Sequence, residues 1–160
     1  MDENDRLRSA RDQLSLVLSF FPRVDTKLSV VLGLDLALLG VAASRLPALE
    51  QLTILEWVAA SIFTLLVGLS LWRLYEGSFP QLEGGHDSLV YFREIAKRTE
   101  TSFVDQFCSI TPQDLARDVL GQVWRNSEIL RRKFDHLKWA YRFMVASLVP
   151  WAFLIASLTK

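Results

Sequence analysis

Cysteine occurs once and histidine twice, and neither sign of charge is in excess. The single Cys108 excludes an internal disulfide framework and any multi-cysteine metal site. Within a helical pattern it reads as a small core residue. His86 and His136 lie far apart, and neither belongs to an HExxH spacing. A GxxxxGK[ST] phosphate loop and a GxSxG elbow are missing as well. No catalytic constellation, metal site or cofactor is therefore expected. Eighteen basic residues balance 18 acidic ones, which argues against a nucleic-acid-binding surface.

What the chain does have is apolar length. Hydrophobic residues make up 51% of it, and the 22% that are charged concentrate in 1–27 and 73–142. Three stretches remain: Leu28–Ser44, Trp57–Trp72 (reaching Tyr75 if Arg73 snorkels) and Phe143–Leu158. Each is about 16 to 19 residues, near the lower limit for a hydrocarbon core of roughly 30 Å. None carries the polar face of a soluble surface helix. A soluble bundle would need far more chain to cover three such helices. The first stretch follows a charge-balanced segment without a small-residue cleavage site, so it reads as a retained span rather than a secretory signal. The expected fold is all-α: an integral membrane protein with three transmembrane helices and a helical cytoplasmic region, the last helix continuous into the membrane.

Orientation follows from Lys and Arg. Residues 1–27 hold five and 73–142 hold eleven, whereas the 45–56 connection holds only Arg45. The positive-inside rule places the N-terminus and 73–142 in the cytoplasm. Trp57, Trp72, Tyr75, Trp139 and Tyr141 stand at segment ends, where amphipathic rings favour the interface. The expected organisation is an N-terminal amphipathic helix in 1–22, a two-helix transmembrane hairpin in 23–75, a cytoplasmic helical ligand-sensing region in 76–142 and a third transmembrane helix in 143–160.

Within the cytoplasmic part, Leu7, Ala10, Leu14, Val17, Leu18 and Phe21 share one face of a helix over 5–21, which Pro22 interrupts. Its charges cancel, favouring packing on the cytoplasmic region over attachment to anionic lipid. After the breaker-rich loop 77–87, the pattern predicts one helix from about 87 to 108 that buries Leu89, Phe92, Ile95, Phe103 and Phe107. Thr111-Pro112-Gln113-Asp114 reads as a helix start, with Thr111 supplying the cap oxygen and Pro112 at the first position. No breaker then follows until Pro150.

Several residues invite functional readings. Asp35 lies mid-span, where a carboxylate either serves a pore or gate or hydrogen-bonds as a packing residue. Gly33, Ala37, Gly40, Ala59, Ala60, Ser61 and Gly68 permit close helix approach, consistent with a homo-oligomer. Asp25 is placed to cap the helix that follows it, and Lys27 to reach lipid phosphate; the same two residues suit a joint that couples cytoplasmic events to the membrane. Arg93, Lys97 and Arg98 form one basic group, and Arg125, Arg131, Arg132 and Lys133 another, with Asn126 among them. If the two faces converge they form a cationic pocket for one phosphate, with Tyr91, Phe92 or Trp124 available to stack on a base. The plainer alternative is two solvated faces, since Glu94, Glu100, Asp118 and Glu128 are interspersed.

Asp25-Thr26-Lys27-x-Ser29 leads into the first span, and Phe79-Pro80 follows the second. Next come Leu89-Val90-Tyr91-Phe92-Arg93-Glu94-Ile95, Asp114-Leu115-Ala116 and Asn126-x-x-Ile129-x-x-x-Lys133-Phe134. In this order, over about residues 12–155, the chain resembles the transmembrane effectors of Pycsar antiphage systems. Asp35 departs from the polar amide of that family. The resemblance implies a multi-pass protein of the bacterial inner membrane that senses cyclic UMP or cyclic CMP from a companion cyclase. It further implies impaired membrane integrity that stops phage propagation. Its later motifs coincide with Arg93, Asn126 and Lys133, which strengthens a ligand set of Arg93, Lys97, Arg125, Asn126 and Lys133. The runner-up reading is a constitutive oligomeric channel or scaffold without a soluble ligand.

Overall fold

A computed structural model describes residues 2–45, 52–79 and 85–158. It contains six helices and no strand among these residues: α1 (Glu3–Leu18), α2 (Phe20–Arg45), α3 (Ile54–Ser78), α4 (Phe92–Ala96), α5 (Glu100–Ser109) and α6 (Pro112–Leu158). The chain forms two compact units, residues 1–23 with 80–132, and residues 24–79 with 133–160. Residues 46–51 of the expected turn and 80–84 of the expected loop, including Pro80 and Gly84, lie outside the described residues, as do 159–160.

Local chemistry sets most of the helix boundaries. Asp2 and Asp5 form a capping box at the start of α1, with Asp2 Oδ1 accepting from Glu3 N at 2.7 Å. The first helix ends at Leu18, earlier than the apolar pattern implies. Pro22 explains this: its ring would collide with the carbonyl of Leu18 four residues back, so the chain breaks at Ser19. Pro22 then fits the first turn of α2, where a missing N–H costs nothing. Because α2 already begins at Phe20, Asp25 lies inside a helix and is not its cap. A Thr53–Glu56 capping box starts α3, Thr53 N donating to Glu56 Oε2 at 2.9 Å.

The stretch expected as one helix over 87–108 is two short helices. Thr99 caps α5, its hydroxyl accepting from Ser102 N at 3.3 Å, which favours a new helix over continuation of α4. The expected burial is likewise only partial. Leu89 is buried, but Phe92 is 63% exposed, Phe107 is 40% exposed, and Cys108 is exposed rather than a core residue. The α6 start matches expectation, with Thr111 Oγ1 accepting from Asp114 N at 3.1 Å. The helix then runs 47 residues with Pro150 inside it.

In the 24–79/133–158 unit, Leu28, Val31, Leu74, Ala140 and Met144 form one core cluster. Ala42, Ala59, Phe63, Val67 and Leu154 form a second. Three helical stretches are long and apolar enough to cross a membrane, yet no more than 22% of the most apolar window of any of them is buried. Val30, Leu36, Leu65 and Val149 face outward. Outward-facing hydrocarbon on helices of this length is the signature of a bilayer-spanning fold. The molecule is an all-α membrane protein.

Candidate functional site

In the unit of residues 1–23 and 80–132, the segment 85–98 is fastened to α6 by two side chains. Asp118 Oδ2 accepts from Leu89 N at 2.7 Å, and the buried Gln122 donates through Nε2 to Ser88 Oγ at 3.3 Å. Ser88 Oγ also receives Tyr91 N at 2.9 Å. A Cβ on Gly85 would stand 3.3 Å from Gln122 Nε2, so the close approach there favours glycine. Asp87 adopts φ 56°, a left-handed conformation that Asp tolerates better than most residues. Arg98 closes the segment, its guanidinium donating to the carbonyls of Asp87 (2.8 Å), Ser88 (2.9 Å) and Glu94 (3.0 Å). Lys97 Nζ donates to Glu94 Oε1. That hydrogen bond, more than any other cause, holds the Glu94 carboxyl below the usual range; partial desolvation opposes it, and the Asp87 N–H adds to it.

Four predicted ligand residues belong to this unit: Arg93 and Lys97 at α4, and the half-buried Arg125 and Asn126 on α6. Asn126 Nδ2 donates to the Gln122 carbonyl at 2.8 Å along its own helix. Phe92 and Trp124 present exposed rings, and Tyr91 meets Phe92 edge-on at 5.0 Å. The unit also holds an apolar cleft of about 430 Å³ among α1, the 89–95 stretch, α5 and α6, lined by Leu14, Leu18, Leu89, Ile95, Phe107 and Leu115 among others. None of the four predicted residues lines this cleft. The N-terminal helix therefore contributes an apolar wall to the helical unit.

Lys133, the fifth predicted residue, belongs to the other unit, where its Nζ donates to Asp25 Oδ1 at 2.6 Å. The structure thus joins a predicted ligand residue to a predicted coupling residue. Sequence separation hid this pairing, since the two are 108 positions apart. Lys27, the second coupling residue, is exposed beside a groove between α2 and α6.

Asp35 is fully buried within its own chain and accepts from Ser70 Oγ at 2.6 Å. The Ser70 hydroxyl also stands 3.1 Å from the Ala140 carbonyl, so one hydroxyl ties α2, α3 and α6 together. Oδ1 of Asp35 has no hydrogen-bond partner among the described residues. Enclosure by three helices of one chain favours the packing alternative over a pore-lining one. Near the end of α3, Glu76 Oε2 lies 3.3 Å from His136 Nδ1 and 3.1 Å from Arg73 Nη1. Gly77 packs closely beside them; a Cβ there would meet His136 Cβ at 3.1 Å. By contrast, a Cβ on Gly33, Gly40 or Gly68 would meet nothing within 4 Å among the described residues, so these glycines mediate no close packing there.

Ser70, Asp118, Gln122 and Glu76 are the residues that sequence reasoning missed. Ser70 is one of several serines in an apolar run, and only its partner distinguishes it. Asp118 and Gln122, four apart on α6, offered a face signal obscured by the neighbouring charges.

A helical membrane protein with three membrane-length helical stretches and a second compact helical unit is thus the class that the fold defines. The Pycsar effector protein domain matches residues 9–160, and the chain belongs to that family. Among curated proteins it is similar to Pycsar effector protein GmPycTM of Gulbenkiania mobilis. They are 29% identical over 101 residues, covering 58% of this chain and 52% of that protein. The match therefore spans about half the length of that relative. No solved structure matches the chain.

Proposed function

We propose that this protein is an antiphage effector that senses a cyclic pyrimidine nucleotide and responds by impairing membrane integrity. The observation that carries this reading is the family match, which runs through both compact units rather than the membrane spans alone. The signal is cyclic UMP or cyclic CMP made by a companion cyclase. Its phosphate is held by Arg93, Lys97, Arg125 and Asn126 in the helical unit, and its base stacks on an exposed ring such as Phe92 or Trp124. The Lys133–Asp25 pair, with Lys27, acts at the joint where α2 and α6 enter the spans. The protein sits in the bacterial inner membrane with its N-terminus cytoplasmic, as the distribution of Lys and Arg favours. It works as a homo-oligomer whose outward-facing Gly33, Gly40 and Gly68 allow close contact between copies. Phage propagation then stops as the infected cell arrests.

Binding drives the response only if the nucleotide prefers the active arrangement. Because α6 is helical from Pro112 to Leu158, displacement of its Arg125–Asn126 region is transmitted along a continuous backbone. Calorimetry on the purified full chain with cyclic UMP, cyclic CMP and cyclic AMP tests the proposal. Saturable binding of one pyrimidine nucleotide is expected, together with its loss in an Arg93→Glu variant. Absence of binding to both pyrimidine nucleotides defeats the reading.

A further inference from the structure

Between α2 and α6 runs an open groove of about 460 Å³, lined by Thr26, Lys27, Val30 and Val31 from one helix and Phe134, Leu137, Lys138 and Tyr141 from the other. Its lining positions repeat at helical spacing, 26/27 with 30/31 and 134 with 137/138 and 141, so each wall is one face of one helix. The groove straddles a polarity boundary. Lys27 immediately precedes the apolar run that starts at Leu28, and Lys138 lies just ahead of the run that starts at Phe143. Among the described residues, neither ammonium forms an ion pair, whereas neighbouring Asp25 is already bonded to Lys133. Two lysines without an ion pair among the described residues thus line one trough walled by Val30, Val31, Leu137 and aromatic rings.

We propose that this groove is a binding site for one anionic phospholipid, with the headgroup phosphate on Lys27 and Lys138 and an acyl chain along the trough. The physical case is complementarity at both ends. A phosphodiester offers each ammonium a charge-assisted hydrogen bond. The apolar walls supply the burial that a free phosphate or a water-soluble nucleotide leaves unused. An anionic headgroup is selected over a zwitterionic one because a choline would bring a third cation to the rim. A second copy of the chain fits less well, since seating an apolar helix here buries two unpaired ammonium groups, a costly outcome. The groove shares Lys27 with the proposed coupling joint but contains none of the proposed nucleotide-binding residues, so failure of lipid binding and failure of nucleotide binding are distinguishable.

Native mass spectrometry of the full chain, delipidated and titrated with phosphatidylglycerol or phosphatidylcholine, tests the proposal. One phosphatidylglycerol is expected to bind preferentially. In the doubly substituted Lys27→Gln, Lys138→Gln protein the preference falls about tenfold or more, given on the order of 1 kcal/mol per basic residue near anionic lipid. A Lys27→Arg, Lys138→Arg protein retains it, which separates loss of charge from loss of fold. Equal binding of the two lipids, an unchanged preference in the Gln protein, displacement of the lipid by cyclic UMP or cyclic CMP, or a dimer that forms in its place would each overturn the assignment.

Discussion

Lys133 Nζ and Asp25 Oδ1 stand 2.6 Å apart, linking α6 to α2 at the polar end of the spans. The lysine is largely buried and the aspartate half-exposed, so screening limits the net worth of the pair to about 0.5–1 kcal/mol. A double-mutant cycle of Asp25→Asn and Lys133→Gln, read by thermal unfolding in detergent, is expected to show a coupling of that size. Exchanging the charges in Asp25→Lys, Lys133→Asp should recover most of it. Additive effects would show that the pair contributes nothing.

The buried Asp35–Ser70 contact gives a larger effect. Replacing Ser70 by Ala removes the donor to Asp35 Oδ2 and leaves the carboxyl without a partner among the described residues. A destabilisation of about 1–3 kcal/mol is expected, the penalty for an unsatisfied buried polar group. Asp35→Asn should cost less, because an amide retains an acceptor for the serine and the same volume. Thermal melts of the two variants rank them; equal stability would contradict the packing role.

Two glycines in α3 should respond oppositely to alanine. At Gly68 nothing lies within 4 Å of the new methyl, and the helix gains up to about 1 kcal/mol from alanine's propensity. At Gly77 the methyl meets His136 at 3.1 Å and Leu28 at 3.4 Å, forcing α3 away from its neighbours. Gly77→Ala should therefore lower the melting temperature while Gly68→Ala raises or preserves it.

Glu94 supplies a pH prediction. Its folded carboxyl titrates below the ordinary glutamate range, first because Lys97 donates to it. The sign follows from linkage: the stabilisation is present above the unfolded pKa and is lost as pH falls through the lowered folded value. NMR titration of the Glu94 side chain should show this depressed midpoint, and Lys97→Met should move it back up toward the ordinary range. An unchanged midpoint would assign the depression to another neighbour.

How much of this was readable beforehand depended on the range of the interaction. The three spans are set by runs of apolar residues, and the α6 start by Thr111 and Pro112, so both were legible. The break after Lys97 was missed because Thr99 caps α5 with a hydroxyl that a hydrophobic pattern does not register. The pattern suggests Asp25 as a cap because Pro22 resembles the stop of the first helix, whereas that helix ends at Leu18 and the next begins at Phe20. The proposed ligand residues Arg93, Lys97, Arg125 and Asn126 are legible in the sequence only as charged or polar groups on helices. What fastens their surroundings, Asp118 to Leu89 and Gln122 to Ser88, spans 29 and 34 positions and has no local sequence signature.

Pro150 interrupts the hydrogen-bond ladder of α6 near its end. Lacking an N–H, it leaves the Ala146 carbonyl without its rung of the α6 ladder. The residues beyond it are instead secured sideways, by Trp151 Nε1 donating to the Leu38 carbonyl at 3.2 Å and by Leu154 in the second core cluster. The final two turns thus hang from α2 and α3 as a separately attached peg. In hydrogen exchange they should open before the rest of α6, and Trp151→Phe should release them further.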